Sequence, residues 1–131
     1  MIVILDSNEY ITYLEEKSGL LDEIFLNEGL TIYINEIIAK ETLRNINEIK
    51  KKKFYSLLLD YKIVAYDNKL PLSLLRKYRR LGLKKGDIAV AAFCESAKAN
   101  SLITENRHFL KSKKLKDFKV LSLKEFLRKL K

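Results

Sequence analysis

Short unbroken apolar runs alternate along this chain with longer stretches whose apolar positions recur every three or four residues. Ile2–Leu5 is the first run, continuous as expected of a strand buried on both faces. Residues 30–34 are β-branched and aromatic and predict a second strand. Residues 63–66, 101–104 and 118–121 predict three more. Between them lie helical patterns. Residues 9–17 place Tyr10, Ile11, Tyr13 and Leu14 on an apolar side, and residues 20–27 form a shorter segment between Gly19 and Gly29. Asn35 is a natural cap for a helix over residues 36–45. Residues 47–60 turn Ile49, Phe54, Leu57 and Leu58 inward. Pro71 opens a further helix, and Gly82 and Gly86 bracket a loop. Residues 87–100, 108–110 and 123–130 complete the helices. Strands alternating with helices predict an α/β protein: a central parallel sheet of about five strands with helices on both faces, in three layers. No linker, repeat or low-complexity tract divides the chain, so residues 1–131 are expected to form a single domain.

The polar residues that break this pattern carry the chemistry. Asp6 ends the first apolar run directly, and Ser7 and Asn8 follow it. An aspartate there can cap a helix, but Ser7 or Asn8 could cap equally well, which leaves Asp6 free for other work. Glu41 follows Ile37 by four residues and Ile38 by three, which sets it on the inward side of its helix. A surface pair with Arg44 would give only about 0.2–0.5 kcal/mol, whereas an inward carboxylate needs a partner such as a metal. Asp87 follows Gly86 and reads equally as a cap; Ala89, Ala91 and Ala92 after it allow that helix to approach the sheet closely, bringing Asp87 towards Asp6. Thr104, Glu105 and Asn106 follow the fourth strand and offer a hydroxyl, a carboxylate and an amide oxygen, all hard donors of the kind Mg²⁺ takes. In open α/β sheets functional groups collect at the carboxyl ends of strands, where these residues fall.

Charge adds a direction. The chain carries 26 Lys and Arg against 17 Asp and Glu, a formal charge of +9. Such a balance favours polyanions. Basic clusters at residues 50–53, 76–85 and 111–119 have Tyr55, Tyr78 and Phe118 within or beside them, a combination that suits single-stranded nucleic acid. The same clusters also read as solvated helix faces, with the tyrosines belonging to the core. The lone His108 has no partner for a zinc site, and the single cysteine, Cys94, lies in an apolar helical run that predicts burial. With no apolar stretch long enough to span a bilayer and no signal-peptide pattern, a cytoplasmic protein without membrane contact is expected. No phosphate-binding Gly-rich loop, Asp-x-Asp pair or Gly-x-Ser-x-Gly elbow is present.

Taken in order, the residues 4–8 Ile-Leu-Asp-Ser-Asn, then Glu41, then 86–92 Gly-Asp-Ile-Ala-Val-Ala-Ala, then 102–109 Leu-Ile-Thr-Glu-Asn-Arg-His-Phe resemble the motifs of PIN-domain nucleases, over essentially the whole chain. In compact length the chain is similar to VapC-like toxins and to stand-alone archaeal PIN proteins. The resemblance implies a strand order of 3-2-1-4-5, with Asp6, Glu41 and Asp87 as metal-binding carboxylates. It places the family's fourth acid at Asn106, where this chain has an amide with Glu105 beside it. The function so implied is a Mg²⁺- or Mn²⁺-dependent endoribonuclease leaving 5′-phosphate and 3′-hydroxyl ends, with Ser7, Asn8, Thr104 and Glu105 supporting the site. Lys84, Lys85, Arg107 and His108 are the expected contacts to RNA. An antitoxin protein and a homodimer are the expected partners. A DNase on the same site, or a weakly catalytic RNA-binding module, are the alternatives.

Overall fold

The computed structural model describes residues 1–16 and 19–130. Five strands form one parallel sheet: β1 (Ile2–Leu5), β2 (Thr31–Ile34), β3 (Val64–Ala65), β4 (Ser101–Ile103) and β5 (Lys119–Leu121), in the order β3-β2-β1-β4-β5. β1 is central, with Val3, Ile4 and Leu5 fully buried, because only an unbroken apolar run can lie between two helical layers. Its register sets Ile4 beside Tyr33 of β2 and Leu102 of β4.

The described helices are α1 (Ser7–Glu16), α2 (Asp22–Phe25), α3 (Glu36–Arg44), α4 (Glu48–Asp60), α5 (Leu72–Arg80), α6 (Lys85–Ser96), α7 (Arg107–Leu110) and α8 (Leu123–Leu130). The chain steps one way across the sheet from β1 to β3, then jumps back and steps the other way from β4 to β5. Right-handed crossovers in opposite directions place their helices on opposite faces. α1, α3 and α4 accordingly pack together, and α5 packs on α6, giving the three-layer α/β/α arrangement. α3 also touches α6. The reversal of direction falls between β1 and β4, so their carboxyl ends diverge around a crevice.

Local chemistry explains the boundaries. The Asn35 side chain accepts the Ile38 N–H at 2.9 Å and starts α3, as Asn47 does for α4 with Lys50. α5 ends where Gly82 takes φ +96°, and the Leu83 N–H returns to the Tyr78 carbonyl, a left-handed termination that favours glycine. Gly86, expected in a loop, lies instead in the first turn of α6, which starts two residues before the predicted position. The same helix stops at Ser96, short of the expected 100, because Lys98 adopts φ +55° and turns the chain into β4. α1 likewise starts at Ser7 rather than 9, while the predicted end at Lys17 lies outside the described residues. The segment predicted as one helix over residues 20–27 divides into a 3₁₀ turn at Gly19–Leu21 and the short α2. On α4, Phe54 and Leu57 are buried as expected, but Ile49 is 70% exposed and Tyr55 54% exposed, so neither belongs to the core. Tyr78, Phe118 and Cys94 are buried. No described helix is long and apolar enough to cross a membrane.

Candidate metal centre

Asp6 is the first residue after β1, and its carboxylate is fixed on both sides. Oδ1 accepts the Ser7 N–H at 2.9 Å, and Oδ2 accepts the Thr104 hydroxyl at 2.7 Å. The second bond exists because β1 and β4 pair in register, so the residues that follow them meet across the crevice. Neither Ser7 nor Asn8 caps α1, contrary to the sequence reading. Ser7 lies within the helix and donates its hydroxyl to Glu41 Oε1 at 2.6 Å, while Asn8 is exposed. Glu41 is half-buried on α3 and, among the described residues, makes no ion pair with Arg44.

On the other side, the Thr104 hydroxyl oxygen accepts the Asn106 N–H at 3.0 Å, and the Asn106 amide donates to Asp87 Oδ1 at 3.3 Å. Glu41, Ser7, Asp6, Thr104, Asn106 and Asp87 are thus joined in one hydrogen-bonded chain that draws on β1, α1, α3, α6 and the turn after β4. The Asn106 carbonyl oxygen points the other way, accepting the His108 N–H at 2.9 Å as the cap of α7. Asn106 therefore turns its donor, not its acceptor, towards the carboxylates.

Charge is unbalanced here. Burial raises the Asp6 carboxyl above its ordinary range; the hydrogen bonds from Thr104 and Ser7 act against this, and the charges of Glu41 and Asp87 add to it. Asp87 is raised in the same sense, first by burial, with His108 and Asn106 opposing and Glu41 adding. Among the described residues no three acidic, histidine or cysteine side chains already converge as a ligand set. Each carboxylate is held instead by a neutral donor. Three carboxylates that repel one another, in a setting made of oxygen donors, fit a hard divalent cation, which would offset their charge.

Glu9 was not singled out by the sequence reading. It is only 4% exposed, its Oε1 has no hydrogen-bond partner, and its carboxyl is pushed up to about 8 by burial, by a hydrogen bond with Glu105, and by the charges of Glu105 and Asp6. Starting α1 at Ser7 would have revealed it, since Glu9 then falls in the first helical turn beside Asp6. Glu105 is exposed, and its Oε2 accepts the Leu123 N–H at 3.1 Å.

Lys84, Lys85, Arg107 and His108 are all exposed. Lys84 and His108 join Leu81, Gly82, Leu83, Ser112 and Asp87 around a cavity of about 150 Å³. Lys85 and Arg107 flank it in sequence.

Residues 3–115 match the PIN domain model, and the chain belongs to the PIN-domain family, a family of nucleases. Solved structures share its fold, two VapBC structures among them. The structure of VapBC-1 from nontypeable Haemophilus influenzae aligns with a TM-score of 0.69 at 18% identity, over 95% of this chain and 99% of that one. The crystal structure of VapBC2 from Rickettsia felis bound to a DNA fragment from their promoter aligns with a TM-score of 0.60, also at 18% identity, over 92% and 97%. No curated protein matches the chain.

Proposed function

We propose that the chain is a divalent-metal-dependent endoribonuclease that works as the toxin of a toxin–antitoxin pair. The observation that carries the reading is the hydrogen-bonded chain that links Glu41, Asp6 and Asp87, from three separate elements, at the β1–β4 crevice. Asp6, Glu41 and Asp87 would hold Mg²⁺ or Mn²⁺. Such an ion, when bound, lowers the pKa of a coordinated water and stabilises charge on the scissile phosphate. Thr104 and Ser7 keep the Asp6 and Glu41 carboxylates oriented, and the Asn106 amide does the same for Asp87. Lys84, Lys85, Arg107 and His108 would grip the RNA backbone at the mouth of the crevice. Both structural neighbours are VapBC proteins, which supports a cytoplasmic toxin bound by an antitoxin; a homodimer is the proposed assembly of this chain.

The test is cleavage of labelled single-stranded RNA by wild type and Asp6→Asn protein, with Mg²⁺ or Mn²⁺ and with EDTA. The expected result is metal-dependent cutting that falls by at least about 100-fold in a variant that still folds. Cutting that survives the substitution would remove the claim. A weakly catalytic RNA-binding module is the second reading, favoured by the Asn106 amide; RNA bound without metal and never cleaved would support it. Preferential cutting of DNA would point to a DNase on the same site.

A further inference from the structure

We propose that the segment joining α7 to β5 is a track for the phosphate backbone of RNA leading away from the carboxylate crevice, with Lys111, Lys113, Lys114 and Lys116 as its cations. The inference rests on the ribonuclease reading above and deepens it, since the substrate is then held beyond the bond that is cut.

Topology fixes where the segment goes. β4 and β5 are parallel, with Ser101 beside Lys119 and Ile103 beside Leu121. Thr104 and Asn106 stand at the carboxyl end of β4, in the hydrogen-bonded chain of the crevice. β5 starts again at the amino end, so residues 104–118 have to travel the height of the sheet. The segment lines a cavity near each of its ends. His108 and Ser112 share the cavity of about 150 Å³ with Asp87. Lys116, Phe118 and Lys119 line a second one, of about 490 Å³, with Lys98 and Asn100.

Its chemistry suits phosphate. Lys111, Lys113, Lys114 and Lys116 are all exposed, and none makes an ion pair among the described residues. The one acid between residues 111 and 118, Asp117, is taken by Lys77, as is Glu95 beside it. Among the described residues, the backbone N–H groups of residues 113–118 donate to no other group of the chain. The segment is nonetheless pinned: Leu115 packs against the core, and the buried Phe118 ring lies 6.3 Å from that of Tyr78. Open N–H donors and lysines are the groups that contact phosphate oxygens. A protein partner would need apolar anchors at the centre of its interface. The exposed large apolar side chains of the described residues all lie at or before Leu72, and none is on this segment.

The test compares a short RNA carrying the cut site with the same RNA extended on its 5′ or its 3′ side by about ten nucleotides. Binding is measured by fluorescence anisotropy across a salt series in the non-cutting Asp6→Asn protein. The same background also carries either Lys113→Ala, Lys114→Ala and Lys116→Ala together, or Lys53→Ala, Lys69→Ala and Lys129→Ala, which remove the same three charges elsewhere. One extended RNA should bind at least about tenfold tighter than the short one, and its log affinity should fall with log salt more steeply by about 2. The first lysine set should erase both differences, and the second should keep them. An extension that adds nothing, or an advantage that survives the first set, would overturn the inference and leave the nuclease reading intact. Equal losses in the two sets would overturn it as a general effect of charge. Displacement of the extended RNA by polyglutamate as readily as by polyuridylate would overturn it in favour of an acidic protein partner. Binding of neither RNA would overturn it together with the ribonuclease reading.

Discussion

Asp6 and Glu9 lie three residues apart, yet their surroundings treat them differently. Asp6 receives two hydrogen bonds, from Ser7 and Thr104, and these oppose the effect of its burial. Glu9 receives none that would favour its charge, and its carboxyl is raised from an ordinary 4.5 to about 8. The consequence for stability has a definite sign. Between those two values the folded chain keeps a proton that the unfolded chain has released, so stability is greatest at the acid end of this window. It falls as pH rises through the window and levels off above about 8. Urea denaturation in EDTA, from about pH 5 to about pH 9, should show that decline in wild type and a flatter profile in Glu9→Gln. A wild-type profile that rises over the same range would mean that Glu9 is ionised in the fold.

At the scale of elements, the site depends on where helices begin. α3 presents Glu41 one and a half turns from its start, and that start is fixed by the Asn35 side chain on the Ile38 N–H. Asn35→Ala should therefore cost about 1 kcal/mol, within 0.5–2, seen as a lower urea midpoint with an unchanged slope. A midpoint equal to wild type would show that packing alone holds the helix start. α6 begins without a side-chain cap, and its small residues, with Ala91 and Ala92 fully buried, let it pack closely enough to bring Asp87 within electrostatic reach of Asp6. α5 is fastened to α6 by Lys77 and Tyr78, which both donate to Glu95, and Lys77 also reaches Asp117 before β5. That clasp ties α5 to α6, whose connecting residues line the small cavity beside Asp87.

Over the whole molecule, an acidic crevice sits within a chain of net charge +9. Attraction of a polyanion to such a surface should be strongly salt-dependent. For RNA held by three or four phosphate contacts, log affinity should fall with log salt at a slope of about −2 to −3. Fluorescence anisotropy of labelled RNA with the Asp6→Asn protein would measure it, and replacing Lys84 and Lys85 by Ala should reduce the slope by about 1.4. An unchanged slope would place the RNA elsewhere. The strands, their alternation with helices, and the carboxylates at strand and helix ends were legible in the sequence. A strand buried on both faces has to be continuously apolar, and Asp6 stands out because it interrupts such a run. The N-cap Asn35 was legible for an equally local reason, since capping is settled within four residues, whereas Asn47, read as part of the next helix, is its cap. The burial of Glu9, the direction in which Asn106 turns its amide, and the exposure of Ile49 and Tyr55 were decided only by tertiary structure. Each depends on what another part of the chain brings alongside: Glu105 against Glu9, Asp87 against Asn106, and, at Ile49 and Tyr55, packing that leaves both side chains largely exposed. Periodicity places a residue on a face of its own helix, but only the assembled sheet and helices determine what that face meets.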